Sequence, residues 1–180
     1  MAGFVFGKQW DETYQEYRDR SINSISPSFC GAKWYNATIW LGNGTTASCH
    51  HPPAHKIPLE EVAMNHKAIH NTQYKKLIRK QMLEGERPKE CEYCWKIEDL
   101  GSDKVSDRVY KSVIYSDEEL VSAQKNYSWN KDVDLKTLEI SFDANCNFAC
   151  SYCNASFSTT WQSDIKTNGA YQNLVTDGGG

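Results

Sequence analysis

Seven cysteines constrain this chain more than any other feature. They fall into two sets. Cys30, Cys49, Cys91 and Cys94 are spread along the first half, whereas Cys146, Cys150 and Cys153 share one short stretch, CNFACSYC. The first set does chemistry together only if the fold gathers it. The second needs no more than a loop. An odd number of thiols also cannot pair completely as disulfides. The opening MAGFVFGKQWDETYQEY lacks the charged start and apolar run of a secretory signal. No apolar stretch approaches the roughly 20 residues that span a bilayer. The expected location is therefore cytoplasmic, where thiols stay reduced. The net charge of −3 offers no basic footprint for nucleic acid.

Hydrophobic residues make up 39 % of the 180, enough for a core in a polar, loop-rich chain. Residues 1–29 read as an N-terminal tail and linker, with a short helix at WDETYQEYRDR and a serine-rich SINSISPSF. Residues 30–100 read as one cysteine-rich unit. In it, NATIWLGNGTTASC predicts a hairpin turning at Gly42-Asn43-Gly44. The segment HHPPAHKIP is expected to be irregular, because prolines remove donors and fix φ. NTQYKKLIRKQMLEG predicts the best helix, capped by Asn71, with Tyr74, Leu77, Ile78 and Met82 on one face and Gly85 at its end. Its KKLIRK residues are expected to face solvent. Residues 101–130 read as a helical connector. Val105, Val109 and Val113 recur at helical spacing there, and Ser116 with Glu119 forms a capping box. Residues 131–180 open with LEISFD, where Leu138, Ile140 and Phe142 alternate with Glu139, Ser141 and Asp143, the period of a strand. STTWQSDIK then predicts a helix ending at Asn168-Gly169. The fold class expected is α+β.

Cys146, Cys150 and Cys153 follow that strand in a C-x3-C-x2-C spacing. A [4Fe–4S] cube bound by three thiolates keeps one iron open, the arrangement that chemistry at a metal requires. Structural zinc takes four ligands, and all five histidines lie far away, between His50 and His70. A dithiol redox pair would leave Cys146 unused. Zinc and unligated thiols are the alternatives to an iron–sulfur site.

CNFACSYC resembles the cysteine loop of radical S-adenosylmethionine (SAM) enzymes. Cys146, Cys150 and Cys153 match its three cysteines and Tyr152 its aromatic. The resemblance implies that the loop follows the first strand of a partial (β/α)6 barrel. It implies a [4Fe–4S] cluster on the three thiols, SAM chelated to the open iron, and Tyr152 near the adenine. It further implies an electron donor protein, and reductive cleavage of SAM to a 5′-deoxyadenosyl radical that abstracts hydrogen from a peptide or small-molecule substrate.

Cys30, Gly44 and Cys49, followed after a long gap by Cys91-x2-Cys94, resemble the auxiliary-cluster domains called SPASM and twitch. The one-cluster, twitch-like form is the closer match, since no further cysteine precedes Cys146. This implies an auxiliary [4Fe–4S] cluster on Cys30, Cys49, Cys91 and Cys94, with zinc as the alternative. Two departures stand out. The unit precedes the barrel loop, whereas such domains usually follow it. The chain also reaches VTDGGG soon after Cys153, so it reads as the first βα unit of an incomplete barrel, inactive alone. A non-catalytic iron–sulfur or zinc module for electron transfer or partner binding is the competing reading. Among weaker signals, His66 and His70 stand four apart, His50 and His51 adjoin Cys49, and Glu98 and Arg108 suggest an ion pair.

Overall fold

The computed structural model describes residues 7–125 and 129–170. The protein is mixed α+β, with short helices and a four-stranded sheet. The strands are β1 (Asn36–Trp40), β2 (Thr45–Ala47), β3 (His55–Lys56) and β4 (Thr137–Ser141), in the order β3-β2-β1-β4. The chain divides into two compact units. One comprises the chain up to Ile39 together with Gly44–Glu139; the other comprises Trp40–Asn43 and the chain from Ile140 onward.

The first unit holds the core: Tyr17, Ile22, Phe29, Trp34, Tyr35, Met82, Trp95, Val109, Tyr115 and Leu120 cluster with Cys30, Cys91 and Cys94. The segment read as a peripheral tail is built into it. Ile22, Ile25 and Phe29 recur at helical spacing and are buried. The serines beside them, which suggested a linker, bond inward; Ser26 and Ser28 both donate to the Met82 carbonyl. Trp10 is 95 % exposed, whereas Tyr17 is buried. The connector also joins this core through Val109 and Leu120. Its first helix spans only Asp107–Tyr110. The next, Asp117–Lys125, carries the expected capping box, with Ser116 N donating to Glu119 and Glu119 N to Ser116.

The hairpin forms where expected, and Gly44 takes φ +66, a left-handed value that side chains disfavour. The proline-rich stretch departs from expectation. Beyond Pro52 and Pro53, residues 55 and 56 regain free N–H groups and pair antiparallel with β2, Thr46 opposite His55. The helix expected near residue 74 spans Gln73–Leu83 and is capped by Thr72, not Asn71. Its buried face is also not the predicted one. Lys75, Arg79 and Met82 point inward, while Tyr74 and Leu77 are exposed. The reason lies in the helix Gly31–Tyr35, whose last carbonyls need donors. Arg79 Nε donates to the Lys33 carbonyl at 2.9 Å, and His70 Nε2 lies 2.9 Å from that of Trp34. Asn71 instead braces Arg79 and the backbone of Val133.

In the second unit the helix Thr159–Asn168 is capped by Ser158 and, as its sequence suggested, closed by Gly169 at φ +86. It buries no residue. The apolar row expected to face a core is open: Ile140, Phe142 and Phe157 are exposed, and so is Leu138 at the β4 start.

Candidate metal centre

Three separate segments deliver the first cysteine set. Cys30 sits at the N-cap of the helix Gly31–Tyr35. Gly31 follows because a Cβ there would meet the Tyr115 and Leu120 side chains at 2.8 and 2.9 Å, so a larger residue would push Cys30 out of place. Cys49 leaves β2 shortly after Ala47. Cys91 ends a 3-10 turn (Lys89–Cys91) and Cys94 lies in the first turn of the helix Glu92–Glu98, so C-x2-C turns both thiols the same way. All four line one cavity of about 370 Å3, mouth included, together with Lys33, His51, Asp107, Arg108 and Lys111.

The electrostatics of this cavity suit an anionic centre. Burial pushes the thiols of Cys30 and Cys91 up to about 12 when they stand alone, each worsened by the neighbouring sulfurs. Cys94 is raised by burial too, but Ser106 and the Arg108 backbone N–H point at its sulfur and favour the thiolate. Lys33 is fully buried; burial works against its charge, yet Cys91 and Glu90 outweigh that and hold it protonated. Its ammonium pairs with Glu90, whose other oxygen accepts from Tyr74 at 2.5 Å. Arg108 pairs with Glu98 at 2.7 Å, both nearly dry, and donates to the Phe29 carbonyl. Four thiolates around a core of charge about +2, whether zinc or an oxidised four-iron cube, leave about two negative charges. Lys33, Arg108 and Lys111 stand where that charge would sit. The donor set therefore fits a metal centre.

Among the described residues, no three cysteine sulfurs lie within 4.8 Å of one another.

Cys146, Cys150 and Cys153 are partly exposed and lie on the loop between β4 and the helix Thr159–Asn168. The start of that helix holds the loop. Cys146 N donates to Thr159 Oγ1 at 3.1 Å, Thr160 Oγ1 donates to the Cys146 carbonyl, and Trp161 Nε1 donates to the Cys150 carbonyl at 3.2 Å. The Phe148 N–H points at Cys146 Sγ at 3.4 Å. A turn from Cys150 to Cys153 completes it. Tyr152 is 90 % exposed, and its phenol is raised by the adjacent Cys150 thiol.

The histidines disperse. His66 is exposed on a 3-10 turn while His70 is buried, so they form no pair. His50 and His51 meet Asp107, a contact the sequence did not point to because 56 residues separate His51 from it. The fold and site thus define a mixed α+β protein in which four thiols, Cys49 the only one of them not buried, line one cavity and three more lie on a loop. No family model, no curated protein and no solved structure matches this chain. Among the described residues, no helix is long and apolar enough to cross a membrane.

Proposed function

We propose that this is an iron–sulfur protein of the radical SAM type with an N-terminal, twitch-like auxiliary cluster. The observation that carries this reading is the convergence of Cys30, Cys49, Cys91 and Cys94 on one cavity that Lys33, Arg108 and Lys111 also line. Four thiolates saturate a [4Fe–4S] cube, so this centre serves electron transfer or structure. Cys146, Cys150 and Cys153 would hold the second cluster, whose unligated iron would take SAM, and Tyr152 would lie near the adenine. β4, the thiol loop and the helix Thr159–Asn168 form the first βα unit of the barrel. When bound there, SAM supplies a 5′-deoxyadenosyl radical for hydrogen abstraction. Thr159, Thr160 and Trp161 fix the loop backbone so that its three sulfurs keep one orientation. An electron donor protein and a peptide or small-molecule substrate complete the reading, and its compartment is the cytoplasm. Structural zinc at the four thiols is the competing reading.

Anaerobic reconstitution with iron and sulfide tests this. About eight irons per chain are expected, falling to about four when Cys146, Cys150 and Cys153 are all changed to Ala. Zinc retained at the four-thiol centre, or iron unchanged in the triple variant, would falsify the assignment.

A further inference from the structure

We propose that His50, His51 and Asp107 form a further metal site, for a divalent first-row transition ion, at the cavity that the four thiols line. One ligand atom from each lies within 4.8 Å of the others. His51 Nε2 is 2.7 Å from Asp107 Oδ2, and His50 Nε2 is 3.7 Å from the same oxygen. His51 and Asp107 also line the cavity.

The parts are held in place before any ion arrives. The His51 ring stacks on Tyr93 at 3.8 Å and 16°. Pro52 directly after it restricts the His51 backbone to extended conformations. His50 packs on His51 at 4.0 Å between ring centres. Asp107 opens the helix Asp107–Tyr110, so its backbone is fixed. A site whose ligands are already ordered loses little conformational entropy on binding.

The donor set decides the class of ion. Two imidazoles and one carboxylate suit Zn2+, Fe2+, Co2+ or Ni2+, whereas Mg2+ and Ca2+ take oxygen ligands. Three protein ligands leave positions for water or a substrate oxygen, the mark of an open site. His50 is 64 % exposed, so an ion can enter from solvent.

Lys111 opposes the ion. Its ammonium lies 3.0 Å from His50 Nδ1 and can only donate, so the ring proton of His50 sits on Nε2. Binding through Nε2 must shift that proton to Nδ1 and turn Lys111 away, and binding through Nδ1 must displace Lys111 as well. Lys111 therefore competes with the cation and lowers its affinity, which gives the site a sign that a structural histidine cluster would not have.

The test uses the full chain after anaerobic iron–sulfur loading, titrated with Co2+. Iron analysis beforehand reports separately on the thiol sites. If these stay empty, Co2+ on thiolates announces itself by sulfur-to-cobalt charge transfer and is set apart from the later increment. The expected result is one further Co2+ with ligand-field bands and no sulfur charge transfer. His50→Ala and Asp107→Asn should each weaken it about tenfold or more. Lys111→Met should tighten it several-fold. His50 and Lys111 are accessible enough that neither change removes core packing, and thermal melts of both variants check this. The proposal is overturned if the increment carries sulfur bands, if His50→Ala leaves affinity within about twofold, or if Lys111→Met fails to raise it.

Discussion

Cys30 heads a helix whose far end is capped by Arg79 and His70, from a distant part of the chain. Cys146 is held by Thr159 and Thr160, a short way along its own segment. The two thiol sets differ in the same way throughout. The set of four is a tertiary product, with Cys30, Cys91 and Cys94 buried beside Lys33 and Arg108 and the Cys30 and Cys91 thiols kept neutral by burial. The three-thiol loop is a local product, partly exposed, positioned by backbone and hydroxyl bonds. A closed centre needs the whole unit around it, whereas an open one must keep a face accessible. Damage to the first should spread through the fold, and damage to the second should stay in the loop.

The sharpest way to break this contrast is to remove thiols. Cys91→Ala with Cys94→Ala should eliminate about four irons and lower the melting temperature markedly, because the centre ties three segments together. The triple change at Cys146, Cys150 and Cys153 should remove as much iron with little change in melting. Equal melting shifts in iron-loaded chains would erase the distinction.

Next in size is Arg108→Met. It leaves the Glu98 carboxylate with the Ser106 hydroxyl but without its buried cation, and takes the Arg108 donor from the Phe29 carbonyl. Breaking a buried pair costs about 3–5 kcal/mol, measurable by urea unfolding. A loss under about 1 kcal/mol would show that the cavity wall is not as dry as it is drawn.

Acid should act through the first unit. Burial, then the Arg79 and Lys75 charges, depress His70 from its ordinary 6.5 to about 3. Between those values the unfolded chain binds a proton that the folded chain refuses. Stability conferred by neutral His70 is therefore complete above pH 6.5 and declines as pH falls toward 3. From pH 7 to pH 5 the loss is about 2 kcal/mol. His55, pushed down to about 4 mainly by burial, adds in the same direction. Unfolding measured at both pH values should show a smaller drop in His70→Gln than in the native chain; an equal drop would remove His70 as the cause.

The smallest effect belongs to the loop. Trp161→Phe deletes the bond to the Cys150 carbonyl and should cost about 0.5–1.5 kcal/mol. Its clearer signature is less complete iron loading at Cys146, Cys150 and Cys153, with the four-thiol centre unaffected.

Much of the local structure was legible in sequence. The hairpin, the Ser116–Glu119 box, β4 and the helix Thr159–Asn168 follow from turn residues, caps and period, which act over a few residues. The helix Gln73–Leu83 was legible as a helix but not in its orientation. Its charged Lys75 and Arg79 outcompeted Tyr74 and Leu77 for the inside, because buried carbonyls of another helix needed donors. The opening segment misled for a related reason: its serines looked like linker, yet bond to Met82 from far along the chain. The contact of His51 with Asp107 left no signal in spacing at all.

By itself the sequence determined which residues bear thiols, how they divide into four and three, and where turns and caps punctuate the chain. These are local properties, set by side-chain chemistry and neighbouring dihedrals. The tertiary structure alone decided that the four thiols face one cavity, that Lys33 and Arg108 stand beside them, and that Asp107 meets two histidines. Those facts depend on burial and on donors and acceptors far apart in sequence, which only packing can bring together.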